Sequence, residues 1–255
     1  MFYLKLKTML RSRLSRTLLV SHSLLFITTP TVSHQNLKTI GNFAEDFIPT
    51  TEAPEEQKVV LNKHAKVFVK NYIRKNRSSL YSVKQRSRNH FPMMDSVLTR
   101  YKLPVELKYL AVVESELKSK IRSSKGAVGP WQFMPKTARI LGLKVNRQFD
   151  ERTNYTKSTR AAAIYLKDLY REFGDWLLVL AAYNGGPGPV YTAIRKSGSR
   201  NFWELQKYLP AESRGHVKKY IATHYYFEGK GSITTLTKSE GIEYRKAMAL
   251  LATNP

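Results

Sequence analysis

The side chain best placed to do chemistry in this sequence is the carboxylate of Glu114, which lies within a mostly apolar segment. On a helix, Leu107, Leu110 and Leu117 would share one face with it, so the carboxylate would point into apolar surroundings. Such surroundings favour the protonated carboxyl, which is the form that a general acid needs. A core glutamate that pairs with an arginine or with backbone amides would be purely structural, and this segment alone leaves both interpretations open.

Two glycine-containing segments downstream could complete a site around this carboxylate. Gly126 and Gly129 stand at a spacing that lets the backbone turn tightly and approach a ligand closely, and Gln132 supplies an amide that can bind one. Tyr183 and Asn184 precede two further glycines at the end of a strongly apolar stretch, where a buried phenol would need a partner. An ordinary helix-to-helix loop and a helix cap at Asn184 are the structural alternatives to a binding role.

The elements that must hold these residues are predicted to be helices. Apolar residues recur at helical spacing through most of the chain, and the sequence has no persuasive alternating strand pattern and no internal repeat. Asp175 is predicted to cap a fully buried helix, and Gly142 and Gly174 to follow the ends of two others. The predicted helices cover about 57–75, 81–101 with a break near 91–92, 103–117, 135–141, 153–173, 176–183, 190–196, 202–208, 212–227 and 239–252.

The charge of the chain limits its partners without selecting one. Its 255 residues include 43 Lys and Arg against 19 Asp and Glu, a formal net charge of +24. Such a field attracts nucleic acid, an anionic membrane surface or a cell-wall glycan that bears peptide carboxylates, so charge alone does not choose among them. The sequence has no cysteine, which excludes disulfides, thiolate metal sites and a cysteine nucleophile. We expect no cofactor and no metal.

The first 33 residues have the layout of a secretory signal. Basic residues precede the apolar stretch 17–27, and the small-residue stretch 31–33 follows it. A basic amphipathic helix is the alternative interpretation. The layout predicts a periplasmic protein, with association with the inner or outer membrane left open. The predicted divisions are a signal peptide or N-terminal anchor over 1–33, a linker and basic helical region over 34–100, a catalytic domain over 101–228 and a C-terminal tail over 229–255.

Together, these motifs resemble those of the lytic transglycosylases of peptidoglycan, the family that shares the soluble lytic transglycosylase domain. The match is closest to the membrane-bound murein transglycosylase D branch and covers residues 101–227, roughly half of the chain. Glu114-Ser115 matches the catalytic Glu-Ser of the family. Gly129-Pro130-Trp131-Gln132 falls on its Gly-Leu-Met-Gln motif, and the run 182–188 is close to its Ala-Tyr-Asn-Ala-Gly-Pro-Gly motif.

The resemblance implies an all-α, lysozyme-like fold of the goose-type or transglycosylase kind, preceded by the basic helices. It implies that Glu114 is catalytic, cleaving the β-1,4 bond between N-acetylmuramic acid and N-acetylglucosamine and leaving 1,6-anhydro ends. His216 stands where the last motif of the family, Glu-Thr-Arg-x-Tyr-Val, has a tyrosine. The residues that the resemblance assigns to substrate binding are Ser123, Gln132, Met134, Tyr183, Asn184, Glu212 and His216.

The sequence leaves two other functions open: a goose-type lysozyme-like hydrolase, and a non-catalytic peptidoglycan-binding or secretion-assembly protein. Between Glu114 and Asp150 the only other acid is Glu116, which would point away from Glu114 by roughly 200° on a helix. Goose-type lysozymes resemble this fold but carry further acids in the corresponding segment to position water, so the sequence favours a lyase. The expected partner is peptidoglycan and not nucleic acid, while a membrane and cell-envelope machinery are left open as further partners.

Overall fold

A computed structural model describes residues 59 and 61–253, which lie within the compact unit Pro49–Pro255. The predicted signal or anchor over 1–33 and the linker that follows it lie outside the described residues. The described part is mostly helical, and its β contacts are isolated bridges such as that between Val128 and Phe133. The predicted all-α class is therefore confirmed.

The helices are joined mostly by short connections, and the two longest connections lie on either side of α5. The α-helices are Lys63–Lys75 (α1), Arg77–Ser87 (α2), Phe91–Arg100 (α3), Lys108–Ser115 (α4), Pro135–Ile140 (α5), Tyr155–Phe173 (α6), Trp176–Gly185 (α7), Pro187–Ser197 (α8), Phe202–Leu205 (α9), Ala211–Glu228 (α10) and Lys238–Thr253 (α11). Short 3₁₀ helices span Val105–Leu107, Glu151–Thr153, Gln206–Tyr208 and Ile233–Thr235.

Helix α7 forms the centre of the core, as its apolar sequence predicts. It packs against α6, α8 and α10, and its residues from Trp176 to Ala182 are buried. Asp175 caps the helix as predicted, since its side chain accepts a hydrogen bond from the backbone N–H of Leu178 at 3.1 Å. The other carboxylate oxygen accepts from the backbone N–H of Lys238 at 2.6 Å. This buried cap therefore also fixes the start of α11.

Helix α4 is shorter than predicted. The prediction of one helix over 103–117 is wrong at both ends, because Pro104 leads into a 3₁₀ turn and α4 stops at Ser115. Glu116 and Leu117 then take left-handed backbone angles, with φ of 53° and 61°. Such angles are costly for residues other than glycine, so the surrounding structure must hold them.

The left-handed turn after α4 is held mainly from α2. Ser79 Oγ donates to the Glu116 carboxylate at 2.8 Å, and Arg86 Nε donates to the Glu116 carbonyl at 3.1 Å. Lys118 Nζ binds the second carboxylate oxygen at 2.8 Å. The Glu116 side chain therefore points toward α2, which agrees with the prediction that it turns away from Glu114.

The N-terminal helices pack on helices from later in the chain. Helix α1 lies against α10, and α3 lies against α6. The predicted break near 91–92 is present, because α2 ends at Ser87 and α3 begins at Phe91 with Pro92 in its first turn. Of the helices in the described range, none is both long and apolar enough to cross a membrane.

Candidate active site

Glu114 lies near the end of α4, where that helix meets the start of α10. Its Oε1 is 2.9 Å from Nε2 of His216. The two helices run antiparallel, since Tyr109 at the start of α4 donates a hydrogen bond to Glu228 at the end of α10. The Glu114 side chain is 14% exposed and that of His216 8% exposed. A carboxyl that is held by one imidazole and shielded from most water is well suited to proton transfer.

Tyr183, near the end of α7, is the third member of this site. Its hydroxyl donates to the carbonyl of Trp131 at 2.8 Å. Its ring packs against those of Tyr165 and Phe133, with centroid distances of 5.4 and 6.0 Å. Burial, and then the charge of Glu114, raise the pKa of Tyr183 well above its usual value. The phenol therefore stays protonated and ties α7 to the loop before α5.

Residues 126–134, here called the glycine loop, are held by one buried arginine. Arg152 Nη1 donates to the carbonyls of Gly126 and Phe133 at 3.0 and 2.9 Å. Its Nε and Nη2 bind the Asp150 carboxylate at 2.8 and 2.6 Å. Sequence reasoning missed Arg152, because nothing in a chain with 43 Lys and Arg marks this one as buried.

The glycine loop is fixed to its surroundings at further points. Gly129, with φ of 88°, lies so close to the carbonyl of that arginine that a Cβ would overlap it. Ser115 Oγ donates to the carbonyl of Pro130 at 2.9 Å, and Trp131 Nε1 donates to Thr159 Oγ1 at 3.0 Å. Because Ser115 directly follows the candidate acid, its bond sets the loop beside that carboxyl. Ser115 was not among the predicted site residues, although the Glu-Ser pair was the available signal.

Two predicted substrate-binding residues use part of their hydrogen-bonding capacity within this region. Nε2 of Gln132 donates to the carbonyls of Gly129 and Ile121 at 2.8 and 3.2 Å. Ser123 Oγ accepts from the backbone N–H of Ala127 at 3.0 Å. These contacts leave the amide oxygen of Gln132 and the hydroxyl proton of Ser123 as groups that a ligand can use.

The other predicted substrate-binding residues are exposed or hold helices together. Met134 is 42% exposed. Asn184 Oδ1 accepts from Ser213 Oγ at 3.0 Å, which links α7 to α10. Glu212 has a side chain that is 70% exposed and lies 3.5 Å from Lys125 Nζ. An ion pair this open to water contributes little to stability, so it leaves both side chains free to reorient.

Comparison with known proteins identifies the part of the chain that carries this arrangement. Residues 95–206 match the family model of the transglycosylase SLT domain. The chain contains an SLT domain. It is homologous to the membrane-bound lytic murein transglycosylase D of Escherichia coli K12, with 35% identity over 188 residues, 72% of this chain and 38% of that protein. It is also homologous to the soluble lytic murein transglycosylase of the same strain, with 34% identity over 129 residues, 46% of this chain and 19% of that protein.

The relatives are longer than this chain, and a solved structure shares its fold. The chain spans about two fifths of the length of the membrane-bound relative. A 70-kDa soluble lytic transglycosylase in complex with bulgecin A matches 67% of this chain and 31% of its own, with 24% identity and a TM-score of 0.51. This likeness bears on the fold alone, and it confirms the predicted lysozyme-like class.

Among the described residues, the carboxylate bound to His216 is that of Glu114 alone. The acids that flank the glycine loop in sequence are each bound to a basic side chain: Glu116 to Lys118, Asp150 to Arg152 and Glu151 to Lys157, at 2.8, 2.6 and 2.6 Å. The hydrogen bonds from Lys118 and Arg152 lower the pKa of Glu116 and of Asp150. These acids therefore stay ionised and paired, whereas Glu114 meets an imidazole.

Proposed function

We propose that the protein is a peptidoglycan lytic transglycosylase that cleaves the β-1,4 bond between N-acetylmuramic acid and N-acetylglucosamine. The observation that carries this proposal is the carboxyl of Glu114, which among the described residues meets His216 and not a second acid, within an SLT domain. The relatives are named lytic murein transglycosylases, which supports the same substrate class. Most glycosidases use a second carboxylate as the nucleophile or to activate a water. With a single carboxylate, the reaction needs another way to complete the step after bond cleavage.

In the first step, Glu114 acts as a general acid. Its protonated carboxyl gives the proton to the glycosidic oxygen, and the bond between that oxygen and C1 of muramic acid breaks. The glucosamine leaves with this proton on its 4-hydroxyl group. The acetamido oxygen of muramic acid stabilises the positive charge that develops at C1, and Glu114 is left as a carboxylate.

In the second step, the same residue acts as a general base. Glu114 takes the proton of the C6 hydroxyl of muramic acid while the C6 oxygen bonds to C1 and displaces the acetamido oxygen. The product carries a 1,6-anhydro ring, and Glu114 is protonated again. No water is consumed, and the residue returns to its starting state.

His216 is placed to hold Glu114 through both steps. Because Nε2 engages Oε1, the other carboxyl oxygen is left to face the substrate. An imidazole nitrogen accepts a hydrogen bond from a protonated carboxyl or donates one to a carboxylate, according to its own protonation. Nδ1 is buried without a partner among the described residues, so no hydrogen bond fixes the tautomer. We therefore assign His216 a positioning role in place of the sugar contact that the resemblance implies.

Some of the remaining candidate residues are placed to bind the substrate, and others hold the site together. Gln132 and Ser123 retain polar groups for the amide and hydroxyl groups of a sugar, and Met134 exposes an apolar side chain to it. Tyr183 and Asn184 are engaged with the glycine loop and with α10, so their contribution is to hold Glu114 and its neighbours in place.

Substitution of Glu114 tests the assignment, and Glu116 offers a matched control two residues away. We expect Glu114→Gln to lower the release of fragments from purified peptidoglycan by at least about 100-fold, because an amide cannot donate the proton. Glu116→Gln should keep near wild-type turnover, since that side chain is bound to Ser79 and Lys118. More than about a tenth of wild-type turnover in Glu114→Gln would contradict the assignment.

The alternative functions give different results in the same digestion. A goose-type hydrolase would release fragments one water heavier than the anhydro products. A non-catalytic binding protein would bind the wall and release no fragments. Analysis of the wild-type products by mass spectrometry separates all three.

The proposed site of action is the periplasm, reached through the signal or anchor over residues 1–33. The relatives are named membrane-bound or soluble lytic transglycosylases, which is consistent with an envelope location. We expect the chain in the periplasmic or membrane fraction of fractionated cells, with a cut near Ser33 or an intact anchor. A full-length chain with its first residues intact in the cytosol would contradict this targeting.

A further inference from the structure

A second concave surface lies at the other end of the α4–α10 pair. Two cavities of about 660 and 610 Å³ share Tyr81 and Tyr226 in their linings. The two neighbouring cavities, here together called the α2 groove, lie between the end of α1, α2, the start of α3, the start of α4 and the end of α10. From His216 to Phe227, α10 rises by about 16 Å, so the groove is distinct from the surroundings of Glu114.

The α2 groove is strongly cationic. Its described basic lining residues are Arg74, Lys75, Arg77, Lys84, Arg88 and Lys108. Asp95 is the one acid among the described residues that line it, and it is bound to Lys108 at 2.9 Å. The other cations of the lining form no ion pair with an acid in the described part of the chain. Their charge is therefore available to an anionic ligand.

Aromatic rings lie beside these cations. Lys84 Nζ is 5.9 Å from the ring centroids of both Tyr226 and Phe227. Tyr81, which belongs to both cavities, is 60% exposed. A contact of this kind with a ring leaves the ammonium charged, so the groove offers flat apolar surface and positive charge together.

This combination fits a carboxylate-bearing peptide on a glycan strand better than it fits a lipid surface. A membrane-binding face projects apolar side chains outward from an amphipathic helix. Here the rings line a depression instead, and the cations surround them. A concave, charged surface of this size holds an extended chain whose side groups are negatively charged.

We propose that the α2 groove is a second, non-catalytic binding site for the carboxylate-bearing peptides of a peptidoglycan strand. The identity of the strand rests on the proposed function. Two contacts on one polymer raise the effective concentration of the glycan at Glu114. Helix α2 also connects the two places, because Ser79 and Arg86 hold Glu116 next to the catalytic residue while Lys84 and its neighbours line the groove.

Binding to insoluble peptidoglycan tests this site apart from catalysis. The full chain with Glu114→Gln serves as the parent, and the groove variant adds Lys84→Gln and Arg88→Gln. A control adds Arg195→Gln and Lys196→Gln, which removes two exposed cations at the end of α8. In co-sedimentation, we expect the groove variant to bind about fivefold more weakly than the parent and the control to bind within about twofold of it.

Removing the peptides from the wall should remove the difference. On peptidoglycan stripped by an amidase, the parent and the groove variant should bind equally. With the active Glu114 restored, Lys84→Gln and Arg88→Gln should leave the turnover of peptide-free glycan oligomers unchanged.

Several results would overturn the proposal. They are a groove variant that binds intact wall like its parent, a control that weakens binding equally, and a groove effect that persists on stripped wall. A fourth is a groove variant that loses binding to phosphatidylglycerol vesicles and not to wall, which would indicate a lipid site. The co-sedimentation assay measures binding by a protein that carries Glu114→Gln, so its result does not depend on catalysis. Failure of this proposal is therefore distinguishable from failure of the proposed activity.

Discussion

The two ends of the α4–α10 pair contain the same kinds of titratable residue in different surroundings. At one end, Glu114 meets His216 at 2.9 Å. At the other end, the ring of His224 lies 5.4 Å from that of Tyr109, whose hydroxyl donates to Glu228. Each end therefore places a glutamate and a histidine at a junction of the same two helices.

The difference lies in what surrounds each carboxylate. Glu114 lies beside the glycine loop, which Ser115 holds through the Pro130 carbonyl, and its ion-pair partner in the described residues is an imidazole. Glu228 accepts from a phenol next to a groove lined with lysine and arginine. We therefore propose a catalytic role for the glutamate that meets an imidazole and a structural role for the glutamate that accepts from a phenol.

The largest of three effects that probe this comparison should come from the backbone of the glycine loop. Gly129→Ala places a methyl group against the carbonyl of Arg152 at a φ of 88°, so the loop must move relative to Glu114. A shift of about 1 Å is enough to lower turnover about 100-fold. Gly126→Ala is the matched control, because Gly126 has φ of 87° but nothing within 4 Å of the added Cβ. Turnover assays that show equal losses in both variants would mean that backbone strain, and not this contact, matters.

The pH dependence of stability should be set in part by His224, at the end of the α4–α10 pair that lies away from Glu114. Burial lowers the pKa of His224 from 6.5 to about 4. Since the folded-state pKa lies below that of the unfolded chain, the contribution of His224 to stability is full above pH 6.5 and is lost as the pH falls toward about 4. Between pH 6.5 and 5 the loss should reach about 2 kcal/mol at most.

His224→Gln should remove this part of the pH dependence. An amide can still bond Ser232, which His224 contacts at 2.9 Å, but it does not titrate in this range. Denaturant unfolding at a series of pH values should show the wild type losing stability relative to the variant as the pH falls. Parallel curves for the two proteins would contradict the assignment.

The smallest expected effect concerns His216, the partner of the proposed catalytic carboxyl of Glu114. His216→Phe removes a hydrogen bond to Glu114 and should lower kcat about tenfold with little change in KM. His216→Tyr restores a hydroxyl and should recover most of the loss. His224→Gln, on the same helix, should leave kcat unchanged. If His216→Phe raised KM and left kcat unchanged, the residue would contact the sugar, as the family resemblance implies.

The fold was largely predictable because its signals are local. Apolar spacing located most helices, and Asp175 before an apolar stretch correctly predicted the start of α7. The end of α4 was not predictable, because its left-handed turn depends on Ser79 and Arg86. Those residues lie 37 and 30 positions before Glu116 in the sequence, and no periodic pattern connects them to it.

The candidate site was predictable in its residue types and less so in its contacts. Glu114, Gln132 and Tyr183 stood out through burial pattern and glycine spacing. The contact between Glu114 and His216 joins residues 102 positions apart, and only the packing of α4 on α10 creates it. The hold of Arg152 on the glycine loop is equally non-local, since the groups that it binds there are backbone carbonyls, which any sequence supplies.

In the proposed mechanism, Glu114 completes the reaction without a hydrolytic water. Digestion of purified peptidoglycan by the wild-type protein in ¹⁸O-labelled water tests it directly, with the fragments weighed by mass spectrometry. We expect 1,6-anhydro ends that carry no label, because the C6 oxygen of the sugar closes the ring. Fragments whose reducing ends are predominantly labelled would contradict it and identify a hydrolase of the lysozyme kind.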